Sequence, residues 1–287
     1  MAKILLLGAA GQVGQALQSS LASLGEVQGL TRQDLDLIDL SALRQRINQI
    51  QPTVIVNAAA YTAVDQAEAE PALAHRLNAQ LPGVLAEQAL ALGAYLVHLS
   101  TDYVFDGRKN TPYLERDVTH PLGVYGQSKL AGERQIEALG GDYLILRTAW
   151  VYGAAGKGNF VKTMLRLAQE QDTLKIVVDQ VGSPTWTQDL AQALAILLPQ
   201  RPQGIYHCTD SGVASWYDFA VAIVEEAQTL GILAQTPQII PITTAEYPTL
   251  ARRPAYSVLS GQKITAALNY SLPHWRQSLR AMLRSLI

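Results

Sequence analysis

Apolar positions follow two rhythms along this chain. Short, mainly apolar runs at 4–7, 27–30, 53–56, 94–99, 143–146 and 174–178 read as strands. Between them the apolar residues recur every three or four positions. Val13, Leu17, Leu21 and Leu24 mark the first such segment, a helix with one face turned to a core. Further helices are predicted after Ser41 as N-cap, around Val64, over 72–92, over the stretch carrying Tyr125 and Lys129, and over 159–169. Strands alternating with helices across about 180 residues predict an α/β fold built on a doubly wound parallel sheet.

Beyond Gln180 the alternation loosens. Pro184, Pro199, Pro202, Pro237, Pro241, Pro248 and Pro254 punctuate short segments, with helices predicted at 189–198, 216–230 and 275–286. The division expected is 1–180 for a nucleotide-binding domain and 181–287 for a smaller mixed substrate-binding region, interleaved with the first. No internal repeat or low-complexity segment appears.

The first apolar run ends in a glycine turn that gives the fold a function. Gly8, Gly11 and Gly14 follow the strand at three-residue spacing and open the first helix. This strand, glycine turn and helix start form a dinucleotide-binding fingerprint, so the sheet is expected to be Rossmann-type. Gly8 permits the tight turn, Gly11 lets backbone approach a pyrophosphate, and Gly14 lets helix and strand pack closely. The helix N-terminus offers free N–H groups to the phosphates.

The second run ends at Thr31-Arg32. An acid at this strand end holds a ribose 2′-hydroxyl, whereas an arginine accommodates a 2′-phosphate. Arg32 therefore favours NADPH, with NADH possible; the other reading is a solvated loop cation. Asp36 and Leu37 lie where the adenine edge would come. The third run leads into Asn57-Ala58-Ala59-Ala60, small residues at a strand's C-terminal end that let a cofactor lie against backbone.

Tyr125 and Lys129 stand four residues apart, on one face of a predicted helix. A phenol with an ordinary pKa of ~10 is a weak acid at neutral pH, and a nearby ammonium favours its ionised form. Lowering that value by ~3 requires about 4 kcal/mol, within reach of a close charge in a dry site. Tyr125 would then protonate a carbonyl oxygen as hydride reaches its carbon. Thr101, at the end of the fourth strand, has a hydroxyl suited to the same oxygen. Alone, Tyr-x-x-x-Lys is common as a surface helix pair; the glycine turn and Thr101 give it its meaning.

Composition narrows the field. The 287 residues are 48% hydrophobic and 16% charged, with a net charge of −2, which fits a large packed core and suggests neither nucleic acid nor anionic membrane as partner. The lone Cys208 excludes an internal disulfide framework and reads as a buried thiol. With no signal pattern and no run of ~20 apolar residues, a cytoplasmic protein is expected, and Asn269-Tyr270-Ser271 reads as a chance sequon.

Together Gly8-x-x-Gly11-x-x-Gly14, Ser100-Thr101-Asp102-Tyr103 and Tyr125-x-x-x-Lys129 resemble the extended short-chain dehydrogenase/reductase superfamily. Within it the chain is similar to the dTDP-4-dehydrorhamnose reductases, through NAAAYTAVDQAE (57–68), STDYVFDG (100–107), VYGQSKLAGE (124–133), RTAWVYG (147–153), NFVKTML (159–165) and DQVGSPT (179–185). The resemblance implies hydride transfer from NAD(P)H to the C4 ketone of a dTDP-linked deoxyhexulose, with Thr101, Tyr125 and Lys129 as catalytic residues. It puts Gly11, Gln12 and Val13 on the pyrophosphate, and Ala60, Tyr61, Thr62 and Leu99 along the cofactor cleft. Lys129 would hold the nicotinamide ribose. Thr101, Asp102, Tyr103, Trp150, Asn159 and Arg252 would meet the nucleotide sugar. For Trp150 the plain alternative is a core aromatic, and for Arg252 a surface cation beside Arg253.

Two departures matter. Some members of the family carry an acid where Thr31 stands, so its absence agrees with NADPH. Some are metal-linked dimers through glutamates where this chain has Gln15-Ala16 and Gln188, so no metal and a monomer are expected. A sugar-nucleotide dehydratase would place a second carboxylate after Asp102, and Tyr103 stands there instead. The remaining rivals are a ketoreductase of another nucleotide-deoxysugar and a non-catalytic regulatory subunit of the same superfamily.

Overall fold

Five of the six apolar runs line up as one sheet. A computed structural model describes residues 2–156 and 158–287. In it β1 (Ala2–Leu7), β2 (Gly25–Leu30), β3 (Val54–Asn57), β4 (Tyr95–Thr101) and β5 (Tyr143–Thr148) pair in parallel with a sixth strand, Gly204–His207. The order is Gly204–His207, β5, β4, β3, β1, β2. The chain winds one way from β1 to β2 and the other way from β3 onward, so the switch point lies between the ends of β1 and β3, where open α/β sheets bind ligands.

Strands buried on both faces need helices on both. The chain supplies α1 (Gln12–Leu21), α2 (Leu40–Ile50), α3 (Val64–Ala69), α4 (Pro71–His75), α5 (Leu81–Leu92), α6 (Val124–Leu139), α7 (Phe160–Glu170), α8 (Thr187–Leu197), α9 (Trp216–Thr229), α10 (Gln262–Leu268) and α11 (Trp275–Arg284). Alternation along β1 divides the core. Ile4 and Leu6 pack with α1, α8 and α10 through Leu17, Leu194 and Leu268. Leu5 and Leu7 pack with α2, α5 and α6 through Ile47, Leu85 and Ile136. A separate core joins α7, α9 and α11 through Val161, Phe219, Ile223 and Leu279. Among the described residues no helix is long and apolar enough to cross a membrane.

Three sequence expectations change. The run at 174–178 forms a strand, Thr173–Val177, but it pairs with Gln238–Ile242 outside the main sheet. Its side chains alternate between exposed and covered, the mark of a strand with one face to water rather than a central one. Gly204–His207 takes the sheet position instead, a segment too short and mixed to show as an apolar run. At α2 the cap is Asp39, whose Oδ1 accepts the Ser41 and Ala42 N–H groups, each at 3.0 Å; Ser41 already lies inside the helix.

The single helix expected over 72–92 contains a π turn, Arg76–Gln80, between α4 and α5. Pro82 has no N–H for the Asn78 carbonyl, and its ring crowds that oxygen, so the ladder opens one residue wider there. The freed carbonyl rests against α6, 2.2 Å from where a Cβ on Gly132 would stand. This turn aims the buried Asn78 side chain at the end of β3.

Two sets of buried charges generate predictions. Arg147 on β5 grips Glu133 on α6 through Nε–Oε1 at 2.9 Å and Nη2–Oε2 at 2.6 Å, with both side chains out of water. Arg147→Met strands a buried carboxylate, so it is expected to cost about 3–5 kcal/mol by urea unfolding. Adding Glu133→Gln recovers most of that loss. Asp189 and Asp210 are the second set, with Asp210 Oδ2 accepting the Trp186 N–H at 3.1 Å. Burial, then Asp189, pushes Asp210 up to about 8, and burial also raises Asp189. A folded pKa above the unfolded one means stability present at low pH and lost as pH rises through about 8. Thermal melts are expected to fall steadily from about pH 4 to pH 8–9, with a linkage ceiling of roughly 5 kcal/mol for a shift of this size. In Asp210→Asn that dependence flattens.

Candidate active site

Gly8 ends β1 with φ +77°, a backbone shape that suits glycine. A Cβ there would fall 2.8–2.9 Å from the Ala58–Ala59 backbone, so the turn after β1 lies directly on the end of β3. A Cβ on Gly14 would stand 2.1 Å from the Gly8 carbonyl, so α1 begins hard against the same turn. Gly11, Gln12 and Val13 fill the space between; the Gly11 N–H closes the turn on the Gly8 carbonyl at 2.9 Å, and Gln12 and Val13 open the helix. The cradle fits a dinucleotide pyrophosphate: bare backbone, a helix N-terminus, and no side chain that must move. The Gln12 side chain faces away from that cradle. It donates to the Val151 carbonyl at 3.1 Å and accepts from Asn159 Nδ2 at 3.2 Å.

At the end of β2, Arg32 is exposed. Thr31 does not stand alone, however. Its N–H and hydroxyl both donate to Asp34 Oδ2, at 2.8 and 2.7 Å. The turn thus returns a carboxylate to a strand end where sequence order showed no acid, and the Thr31 bonds hold Asp34 below the usual carboxylate range. Asp36 and Leu37 follow in the exposed loop, with Asp36 Oδ1 accepting the Ile38 N–H.

Beyond β3, Ala58 is tied to Leu7 by its N–H, and Tyr61 is clamped by Asn78. Its N–H donates to Asn78 Oδ1 at 2.8 Å, and its carbonyl accepts from Asn78 Nδ2 at 3.0 Å. Asn78 Nδ2 also lies 3.0 Å from Ser128 Oγ on α6. One amide therefore links the cofactor-side loop carrying Ala60, Tyr61 and Thr62 to the helix carrying Tyr125.

Thr101 closes β4, and its Oγ1 donates to Asp102 Oδ1 at 3.1 Å while accepting the Tyr103 N–H. Burial raises Asp102 to about 6 against the pull of the Ser257 and Thr101 hydroxyls. Tyr103 stands edge-on to Tyr125, their rings 5.6 Å apart. Tyr125, Tyr103 and Arg252 line one cleft with Glu68, whose Oε1 caps α6 by accepting the Val124 N–H at 2.8 Å.

Tyr125 corrects the expectation of a lowered phenol. Burial pushes it up to about 12, against the pull of the Thr101 hydroxyl. The Lys129 Nζ is turned instead to the Leu99 carbonyl, 2.6 Å away. Burial wins, and the phenol keeps its proton at neutral pH. Lys129 itself is pushed down to about 8 by burial, with Glu133 opposing.

The contacts of Trp150 and Asn159 lie with α7, α9, Gly153 and Gln12. Trp150 adopts φ +47° and lies flat on Trp216, with centroids 3.5 Å apart, in the core of α7 and α9. Asn159 caps α7 through Oδ1 and donates to the Gly153 carbonyl at 2.8 Å, so its amide is committed. Asn57, Asn78, His98, Glu133 and Arg147 were not singled out from the sequence. Their signal is polarity at positions that the strand and helix periodicity makes interior.

Similarity to known proteins agrees with this geometry. The family model described as RmlD substrate binding domain matches residues 2–287. A dTDP-4-dehydrorhamnose reductase of Burkholderia thailandensis is 46% identical, with 99% of each chain covered. The crystal structure of a dTDP-4-dehydrorhamnose reductase from Clostridium acetobutylicum superposes with a TM-score of 0.92 at 41% identity, covering 99% of each chain. A Bacillus anthracis dTDP-4-dehydrorhamnose reductase in complex with NADP gives 0.93 at 35% identity, covering 99% of this chain and 100% of that one. The chain belongs to the RmlD substrate binding domain family, alongside full-length dTDP-4-dehydrorhamnose reductases.

Proposed function

We propose that this protein reduces the C4 ketone of dTDP-4-dehydrorhamnose to give dTDP-L-rhamnose, with NADPH as preferred reductant. The observation that carries the reading is the Thr101–Tyr125–Lys129 group, with Thr101 and Lys129 buried and Tyr125 half-buried in the cleft, beside a glycine cradle at the sheet's switch point. The full-length reductase relatives supply the substrate.

NADPH supplies the hydride when bound; Gly8, Gly11, Gln12, Val13 and Gly14 would hold its pyrophosphate. The residues do the rest. Tyr125 keeps its proton because it is buried, so the proton is present where a carbonyl oxygen gaining charge needs it. The Thr101 hydroxyl is a second hydrogen-bond partner for that oxygen, oriented by Asp102 and the Tyr103 N–H. Lys129, one turn from Tyr125 on α6, would hold the nicotinamide ribose with an N–H not given to the Leu99 carbonyl. Arg252 is the cation on the substrate side of the cleft, suited to a phosphate.

At the adenosine end Arg32 suits a 2′-phosphate, while Asp34 offers a ribose acceptor, so NADH is accommodated more weakly. Cofactor is assigned to the 1–180 side and sugar nucleotide to the interleaved 181–287 region. The protein is read as cytoplasmic and monomeric.

NADPH consumption with the 4-keto sugar nucleotide tests this reading. Tyr125→Phe is expected to lower kcat by roughly a hundred- to ten-thousand-fold with cofactor binding intact. Arg32→Asp is expected to raise the KM for NADPH by about tenfold and to leave that for NADH nearly unchanged. A wild-type protein that binds NADPH yet reduces no such sugar would point to another nucleotide-deoxysugar or to a regulatory subunit.

A further inference from the structure

Beneath the catalytic helix lies a buried polar pair that the reaction just described leaves unused. Asn57 and His98 are register partners on β3 and β4, and both are buried. Asn57 Nδ2 lies 3.0 Å from His98 Nδ1. The far side of the same ring faces α6, where Lys129 Nζ lies 3.4 Å from Nε2.

A backbone group fixes the direction of these bonds. The Ala59 N–H can only donate, and it donates to Asn57 Oδ1 at 3.2 Å. The amide NH₂ is therefore the end that faces His98, and Nδ1 must accept. A neutral imidazole whose Nδ1 accepts carries its proton on Nε2. That N–H points at Lys129 Nζ, where a neutral amine accepts it and an ammonium, which has no lone pair, does not.

Burial keeps the ring neutral, holding His98 well below its ordinary value, with the Lys129 charge adding to the effect. One other charge acts on Lys129, and burial outweighs it. Glu133, one turn along α6, favours the ammonium, but Arg147 from β5 binds it at both oxygens. Asp102 and Tyr103 lie after β4, beside Tyr125. Among the described residues, His98 is the titratable group that reaches Nζ itself.

We propose that His98 is a positioning residue for the reduction: fixed as the Nε2–H form by Asn57, it favours Lys129 as a neutral amine and poises that lysine to exchange a proton near neutral pH. The inference rests on Lys129 belonging to the catalytic group. Its value to the reaction is in resetting the acid. Once Tyr125 has given its proton to substrate oxygen, a phenolate remains; an ammonium at Lys129 returns a proton to it and becomes an amine, which regains its proton from water. A lysine held strongly as ammonium would return that proton reluctantly. Asn57 also binds the backbone beside Ala58, so the same amide that shapes the cofactor side of the cleft sets the tautomer behind the lysine.

The first test is ¹⁵N NMR of the full chain, reading ring nitrogens of His98 among the five histidines. A bare Nδ1 and protonated Nε2, unchanged between about pH 5 and 9, is the expected result. A proton on Nδ1, or an imidazolium appearing in that range, overturns the proposal. The second test is Asn57→Asp, whose carboxylate accepts an Nδ1–H, switches the tautomer and leaves Nε2 to accept from an ammonium. The alkaline limb of kcat/KM is expected to move up by roughly one pH unit or more, with His98→Gln falling between. A limb that stays in place after the tautomer has switched sinks the idea. Failure of the functional reading looks different: no reductase turnover in the wild type, with His98 still in its Nε2–H form.

Discussion

The close approach of the β1 turn to the end of β3 is the constraint on which the rest of this molecule depends. Gly8 lies so near Ala58 and Ala59 that a single methyl group would part them. Because β1 and β3 are neighbours at the sheet's switch point, this contact closes the floor of the cleft while leaving backbone N–H groups uncovered above it. Gly14 then brings α1 down on the same spot. Strand, turn and helix therefore converge on one small volume, whose wall is main chain. Such a volume suits a bulky anionic group, with main chain rather than a dedicated cation around it.

The opposite wall is built of side chains, and here burial decides the chemistry. Tyr125 and Lys129 share a helix face. Each is pushed toward its neutral form by burial, the phenol upward and the amine downward. The strong charges nearby, Glu133 and Arg147, bind each other in a bidentate pair that fastens α6 to β5, and the pull Glu133 still exerts on Lys129 favours the ammonium without overcoming burial. A proton-transfer site of this kind is set by what it excludes as much as by what it contains.

Much of this was legible in the sequence, and for a physical reason. Strands covered on both faces must be apolar throughout, so β1, β3 and β4 stand out as runs. The glycines of the turn stand out because no other residue permits the approach. The strand at Gly204–His207 was not legible, since a sheet edge takes short and mixed segments. Asp34 was not legible either. Its place four residues beyond β2 hides the fact that the turn folds it back onto Thr31. The π turn could have been anticipated from Pro82, but not the use made of it, because the partner that receives the displaced Asn78 carbonyl is Gly132, far along the chain on α6.

Asn78, Asn57 and His98 show why local patterns do not exhaust such a site. In a periodicity argument each counts only as a polar residue at an interior position, an anomaly in an apolar run. In three dimensions each is satisfied by a backbone group or by another buried side chain. Leaving such groups unpaired inside the sheet would cost about 1–3 kcal/mol apiece, so their partners are fixed as firmly as an apolar contact is. Paired in this way they act as struts. Asn78 joins the loop after β3 to α6 through Tyr61 and Ser128, and Asn57 reaches the same helix through His98. Both struts begin at the end of β3, where the cofactor side of the cleft is shaped, and end on the helix that holds Tyr125 and Lys129. The cleft's two walls are thus held at a fixed separation by polar bonds crossing the core, a stiffness that apolar packing, which is non-directional, supplies less well.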